Sequence, residues 1–139
     1  GWTIVEQASL QLIVRSNGNP DLVGATAMFQ ISDQKTYVYA SYLIRARPRR
    51  SVVPIYLAHY LSSPAGRAAL RAGARTSAGQ YNINTKALAA IKVPVPALAV
   101  QLDFAEKVQL LERSNALMRA HLAKLDELFA ALQHRAFRG

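Results

Sequence analysis

Arg67, Arg71 and Arg75 recur four residues apart in AGRAALRAGAR, a spacing that lays them along one face of a helix as a slowly drifting stripe. No acid stands at a spacing that would pair with them along such a helix. Like charges so placed oppose folding by roughly 0.2–0.5 kcal/mol each, so an anionic partner is one explanation and an ordinary solvated face the other. A second set of cations lies in TYVYASYLIRAR, residues 36–47. Read as a period-two strand, this segment puts Val38, Ala40, Tyr42, Ile44 and Ala46 on a face suited to a core. Tyr37, Tyr39, Ser41, Leu43, Arg45 and Arg47 fall on the other. Guanidinium forks match phosphates and guanine edges, and tyrosine rings stack on bases or pack on sugars. The competing reading is a half-buried strand whose tyrosines only cover the sheet. Arg49 and Arg50 carry the positive run past Pro48.

Two amide-rich stretches could contact base edges. In RSNGNPD, the turn signals Asn17-Gly18 and Asn19-Pro20 follow Arg15. A small Gly18 flanked by Arg15, Asn17 and Asn19 lets backbone approach a phosphate or a base closely, whereas the plainer reading is a hairpin loop. In GQYNIN, an extended backbone puts Gln80, Asn82 and Asn84 on one side and Tyr81 and Ile83 on the other.

Other chemistry is thinly supported. Asp21, Asp33 and Lys35 fit the loose acid, acid, lysine pattern with which some nucleases hold Mg²⁺, a pattern that often arises by chance. His59, His121 and His134 are scattered, and no cysteine is present, so no metal site is expected. No phosphate-cradling Gly-rich loop ending in Lys-Ser/Thr, methyltransferase signature or Ser/His/Asp constellation occurs.

The net charge of +9 is unevenly spread. Residues 1–100 hold eleven Lys or Arg against three acids, a net +8, and residues 101–139 hold a net +1. A polyanion would relieve the repulsion among those cations and release its own counterions, which points to nucleic acid; a basic surface kept for solubility is the alternative. At 139 residues and 51% hydrophobic, the chain suffices for one domain with a core. It has no basic leader before an apolar stretch and no uncharged apolar run near the roughly 18–20 residues of a membrane span. A soluble, cytoplasmic fragment is expected.

The positioning elements follow from local signals. Leu10–Val14 and the apolar run 22–29 read as strands around the Asn-Gly-Asn-Pro loop. Pro54 and Pro64 each open a helix. Asn84 or Thr85 caps a short helix through Ala90. Ile91, Val93 and Val95 alternate with Lys92, Pro94 and Pro96, a stiff extended strut able to pair along one side at most. From Ala97 or Leu98 a long helix runs to the C-terminus. Its a positions are Val108, Asn115, Leu122, Phe129 and Ala136, and its d positions are Phe104, Leu111, Met118, Leu125 and Leu132. So narrow an apolar stripe needs a partner helix. Asn115 is its one polar a position and would fix register at some cost in stability. The competing reading packs this helix on its own domain. The expected class is α+β: a small mixed domain of β-strands and short helices over residues 1–96, followed by a coiled-coil helix over 97–139.

LIVRSNGNPDLVG, AGQYNIN, IKVPVPALAVQ and the long helix occur in an order that resembles the target recognition domain and adjoining helix of specificity subunits of type I restriction-modification enzymes, a bacterial defence system. The most specific part is the ordered set Ile83, Asn84, Leu88, Ile91, Val93, Pro94, Pro96 and Gln101. The resemblance runs from about Leu10 to the C-terminus. It implies two recognition domains per subunit, each reading half of a split site on double-stranded DNA, held apart by two antiparallel helices. It also implies methyltransferase subunits docked beside the helices and a separate motor subunit that cuts. This chain is expected to carry one such domain, incomplete at its N-terminal side, so the resemblance implies a second recognition domain or a second copy as the partner of its helix. It further implies a chain that is not itself an enzyme, with S-adenosylmethionine, ATP and Mg²⁺ confined to partner subunits. On this reading Arg45, Arg47, Arg49, Arg67, Arg71 and Arg75 meet phosphates. Arg15, Asn17, Gly18, Asn19, Tyr39, Gln80, Tyr81 and Asn82 lie near bases or backbone. An assembly module built on the helix alone is the competing reading, with a nuclease behind it.

Overall fold

The computed structural model describes residues 2–5, 9–30, 33, 35–77 and 79–138, with the backbone alone for 2–5 and 77. The chain is mixed: small antiparallel sheets, short helices and one long C-terminal helix. It divides into two compact units, Gly1–Leu102 and Asp103–Gly139.

The centre of the first unit is a three-stranded sheet in which β2 (Leu10–Val14) lies between β4 (Thr26–Phe29) and β6 (Leu43–Ala46). The pairing of Ile13 with Ile44 and Gln11 with Ala46 puts these side chains on one face, as period-two geometry requires. On that face Ile13 and Ile44 join Val23, Leu61, Leu70 and Ile83 in the buried core. α1 (Pro54–Ser62) and α2 (Pro64–Ala72) supply Leu61 and Leu70. Both begin with proline at the first helical turn, where a missing N–H costs nothing. Ser63 caps α2 by accepting from the Gly66 amide at 3.2 Å. Gly66 is buried, and a side chain there would overlap the Tyr60 carbonyl, so the α1–α2 corner depends on its lack of one.

Three segments differ from the sequence expectation. Residues 36–47 are not one strand. They break at Ser41–Tyr42 into β5 (Tyr37–Ala40), which pairs with β1 (Trp2–Val5), and β6, which pairs with β2. The expected core face therefore survives only at Ile44 and Ala46, and Val38 and Tyr42 are each 56% exposed. The run from Leu22 to Phe29 is strand only from Thr26. Before it, Gly24 turns at φ +77°, and a side chain there would meet the Leu70 Cβ at 2.8 Å. The helix expected to carry Arg75 ends at Ala72. Arg75 instead opens β7 (Arg75–Ser77), which pairs with β8 (Gln80–Asn82) across a turn containing Gly79 at φ +76°.

β8 also pairs with β3 (Ser16–Asn17), completing a second three-stranded sheet. Asn84 then caps α3 (Thr85–Ala89), accepting from the Ala87 amide at 2.8 Å. Residues 91–97 follow in no sheet or helix. Their carbonyls are answered by α1: the Tyr56 hydroxyl donates to Pro94 O at 2.8 Å and the Tyr60 hydroxyl to Lys92 O at 3.4 Å. α4 (Leu98–Phe137) starts where the second proline ends the strut. In its first turn Gln101 is fully buried. Its Nε2 donates to Ser51 O at 3.1 Å and Pro96 O at 2.8 Å, and its Oε1 accepts from Val53 N at 2.9 Å.

Replacing Gln101 with Leu keeps the volume and removes all three bonds. With the Val53 amide and two carbonyls left unanswered, a loss of roughly 2–4 kcal/mol in urea-unfolding stability is expected. An unchanged midpoint would mean that these backbone groups find other partners.

Candidate nucleic-acid interface

The two amide-rich stretches, more than sixty residues apart in sequence, meet in the small sheet of β3, β8 and β7. Ser16 lies opposite Asn82 and Asn17 opposite Tyr81, while Arg75 and Thr76 flank the same two residues from the other side. The Ser16 hydroxyl bonds Gln80 Oε1 at 3.2 Å, and the Ile83 amide donates to Arg15 O at 2.8 Å. Arg15, Asn17, Gly18, Asn19, Arg75, Gln80, Tyr81 and Asn82 thus share one end of the first unit. Tyr81 and Ile83 face the core, as their alternation requires, and Gln80 is exposed. Asn82 is half-buried, and its Oδ1 has no hydrogen-bond partner among the described residues.

The loop over this end is built by its own asparagines. Asn17 Oδ1 accepts from the Asn19 amide and Asn19 Oδ1 from the Asp21 amide, both at 2.9 Å, two successive side-chain turns. Gly18 stands in open space.

Two members of the arginine stripe hold that loop from below. Arg67 donates through Nη1 to Val23 O at 3.1 Å and through Nη2 to Asp21 O at 2.6 Å. Arg71 pairs with the Asp21 carboxylate at 2.6 Å. The acid absent from the helix register comes from fifty residues away, where helix spacing could not reveal it. Arg67 and Arg71 therefore brace the loop that Arg15 and Arg75 flank, and any phosphate would compete with those bonds. Tyr42, which strand alternation assigns to the core, is exposed. Its carbonyl accepts from the Arg15 amide at 2.8 Å, which adds an aromatic ring to this end. Ser41-Tyr42 carries no Gly, Pro, Asn or Asp, and Ser41 alone is a weak turn signal.

The remaining candidates lie elsewhere. Arg45 is opposite Leu12, and Arg47 and Arg49 continue past Ala46, which is opposite Gln11. Gln11 and Ser16 are about 17 Å apart at strand rise, so Arg47 and Arg49 lie at the other end of the sheet and Arg45 near its middle. Tyr39 pairs with Thr3 in the separate β1–β5 ribbon.

The residues of the nuclease pattern are engaged otherwise. Asp21 is held by Arg71, and Asp33 accepts the Tyr37 hydroxyl through both carboxylate oxygens at 2.9 Å. The hydrogen bond to Asp33, then burial, then the charge of Asp33 raise the Tyr37 phenol above its ordinary range. Lys35 pairs loosely with Asp33 at 3.9 Å. Among the described residues no cluster of three or more His, Asp or Glu could hold a metal ion, and no helix is long and apolar enough to cross a membrane.

The second unit is the body of α4. Leu111, Met118, Leu122, Leu125, Phe129 and Leu132 are each more than half exposed, Phe104 is 37% exposed, Val108 is half-buried and Asn115 is exposed. Lys107 and Asp103 form an exposed pair one turn apart at 2.7 Å.

No protein-family model matches the chain. Among curated proteins, the type I restriction enzyme EcoKI specificity subunit of Escherichia coli (strain K12) is similar, 27% identical over 132 residues. The match covers 92% of this chain, and the chain spans only 28% of the length of that relative.

Arg67→Ala removes two charge-assisted bonds to loop carbonyls. Stability should fall by about 1–3 kcal/mol, and amide hydrogen exchange over residues 18–24 should accelerate by more than the change in global stability accounts for. Unchanged exchange in the loop would show that Arg67 does not brace it.

Proposed function

We propose that the chain is a sequence-specific DNA-reading component of a type I restriction-modification complex, recognising DNA without performing chemistry and directing methylation and restriction carried out by partner subunits. The observation that carries this reading is the similarity to a named specificity subunit along 92% of the chain. The convergence of Arg15, Asn17, Asn19, Arg75, Gln80 and Asn82 at one end of the first unit supports it. At that end Arg15 and Arg75 supply the phosphate charge, and the asparagine turns with Gln80 and Asn82 approach base edges. S-adenosylmethionine, ATP and Mg²⁺ belong to the partner subunits.

α4 is the ruler of the assembly, paired with the helix of a second recognition domain or a second copy. In an antiparallel pair of two copies, layering a on d positions sets Phe104 on the partner's Phe129, Val108 on the partner's Leu125, Leu111 on the partner's Leu122 and Asn115 on the partner's Met118. This register uses the seam from Phe104 to Phe129 and brings Glu112 beside the partner's Arg119. The exposed seam also favours a second reading, an assembly module that binds no DNA.

Fluorescence anisotropy with a random duplex library at several salt concentrations separates the two. DNA reading predicts a falling log-log salt slope that Arg75→Gln reduces by about 0.9 for each phosphate no longer neutralised. Asn17→Ala and Gln80→Ala should instead relax selectivity on the selected site, by roughly 1–3 kcal/mol. No salt-dependent binding, in the chain alone or assembled with its methyltransferase partner, would leave the assembly module.

The helix register is read by cross-linking, since the chain has no cysteine of its own. Mixed Leu111→Cys and Leu122→Cys chains should oxidise to the heterodimer. Efficient Leu111→Cys homodimers instead would indicate parallel pairing, and a sedimenting monomer at about 50 µM would set self-pairing aside as weaker than about 6 kcal/mol.

A further inference from the structure

The arginines that run past β6 do not end on a flat surface. Arg47, Arg49 and Arg50 border an open cavity of about 520 Å³ whose walls include Val53, Leu98 and Leu102. Among the described residues no acid borders this cavity, and none of the three arginines makes an ion pair. Leu98 and Leu102, one turn apart on α4, are 49% and 54% exposed. The floor is rigidly held, because Gln101 between them fixes Val53 and Ser51 to the first turn of the helix.

Two needs coexist here. Three unpaired guanidinium groups call for carboxylates or phosphates. The leucines call for apolar surface to remove them from water. A DNA backbone satisfies the first and not the second, since phosphates keep their hydration and are met by polar groups and backbone amides. A peptide carrying an apolar side chain between carboxylates satisfies both, in the manner of interfaces anchored by an apolar residue in a pocket with arginine at its rim. The cavity also lies at the end of β2 away from the asparagine loop.

We propose that this cavity is a protein-docking site for an acidic segment of a partner, with an apolar anchor seated on Leu98 and Leu102 and flanking carboxylates on Arg47, Arg49 and Arg50. This assignment is separate from DNA reading and holds whether or not the loop end binds DNA.

The test uses the full chain and a short fluorescein-labelled peptide with a central Leu-Phe pair between two Glu-Glu pairs, measured without nucleic acid. Saturable binding is expected. It should weaken about tenfold on Arg49→Gln with Arg50→Gln, about tenfold on Leu98→Ser with Leu102→Ser, and similarly when the peptide's Glu are made Gln. All substituted positions are exposed, and far-UV circular dichroism matching the parent chain verifies the fold. The leucine variant should bind a random duplex as the parent does. No saturation up to about 1 mM peptide overturns the proposal, as does binding indifferent to the leucines. Loss of duplex affinity on the arginine variant, with the duplex displacing the peptide and the leucines irrelevant to both, would assign the cavity to nucleic acid instead.

Discussion

The carbonyls of Ser51 and Pro96 and the amide of Val53 sit in connecting backbone that no sheet ladder can satisfy, and the side chain of one residue, Gln101, answers all three. A buried polar backbone group left alone costs about as much as a lost hydrogen bond or more. The entry into α1, the end of the strut and the start of α4 are therefore tied to the same amide. Because residues 91–97 pair in no sheet, their path depends on this clamp at one end and on the hydroxyls of Tyr56 and Tyr60 along their length. The first turn of α4 is thereby held within the first unit.

That arrangement gives the ordered set from Ile83 to Gln101 a physical meaning. Ile83 is core, Asn84 is a helix cap, and Leu88 and Ile91 pack on the core. Lys92 and Pro94 lend carbonyls to tyrosines, and Pro96 and Gln101 close the clamp. The residues that carry the resemblance are those that build the core, the strut and the first turn of α4. The groups at the asparagine loop are a different set.

What was legible in the sequence was what short-range chemistry decides. Pro54 and Pro64 open helices because a first helical turn has amides without intrahelical partners. Asn84 caps because its oxygen reaches three residues on. The heptads of α4 and the extended run with its prolines follow from the same kind of rule. What was not legible required a distant partner. Nothing near Arg71 in sequence announces Asp21, and nothing in TYVYASYLIRAR shows that Tyr37–Ala40 finds β1 while Leu43–Ala46 finds β2. Arg75 lies beyond Gly73, the glycine that caps α2 and a stop signal present in the sequence, and pairing with Asn82 then makes it strand. The candidate cations fall into two groups that sequence spacing does not separate: one gathers with the amides, and another borders a cavity lined in part by Val53, Leu98 and Leu102.

The two asparagine turns of the loop use the same kind of atom. Asn17 and Asn19 each give a carbonyl oxygen to a backbone amide, which leaves their NH₂ ends as the groups not used in building the turn. Arg15 and Arg75 beside them have hydrogens to give and no lone pairs to offer. The asparagine and arginine ends of this loop therefore offer hydrogens, while the acceptors at the same end are the Asp21 carboxylate, held by Arg71, and Asn82 Oδ1. On the proposed DNA reading, these donors would meet acceptors on purine edges in the major groove, N7 on both bases and O6 on guanine.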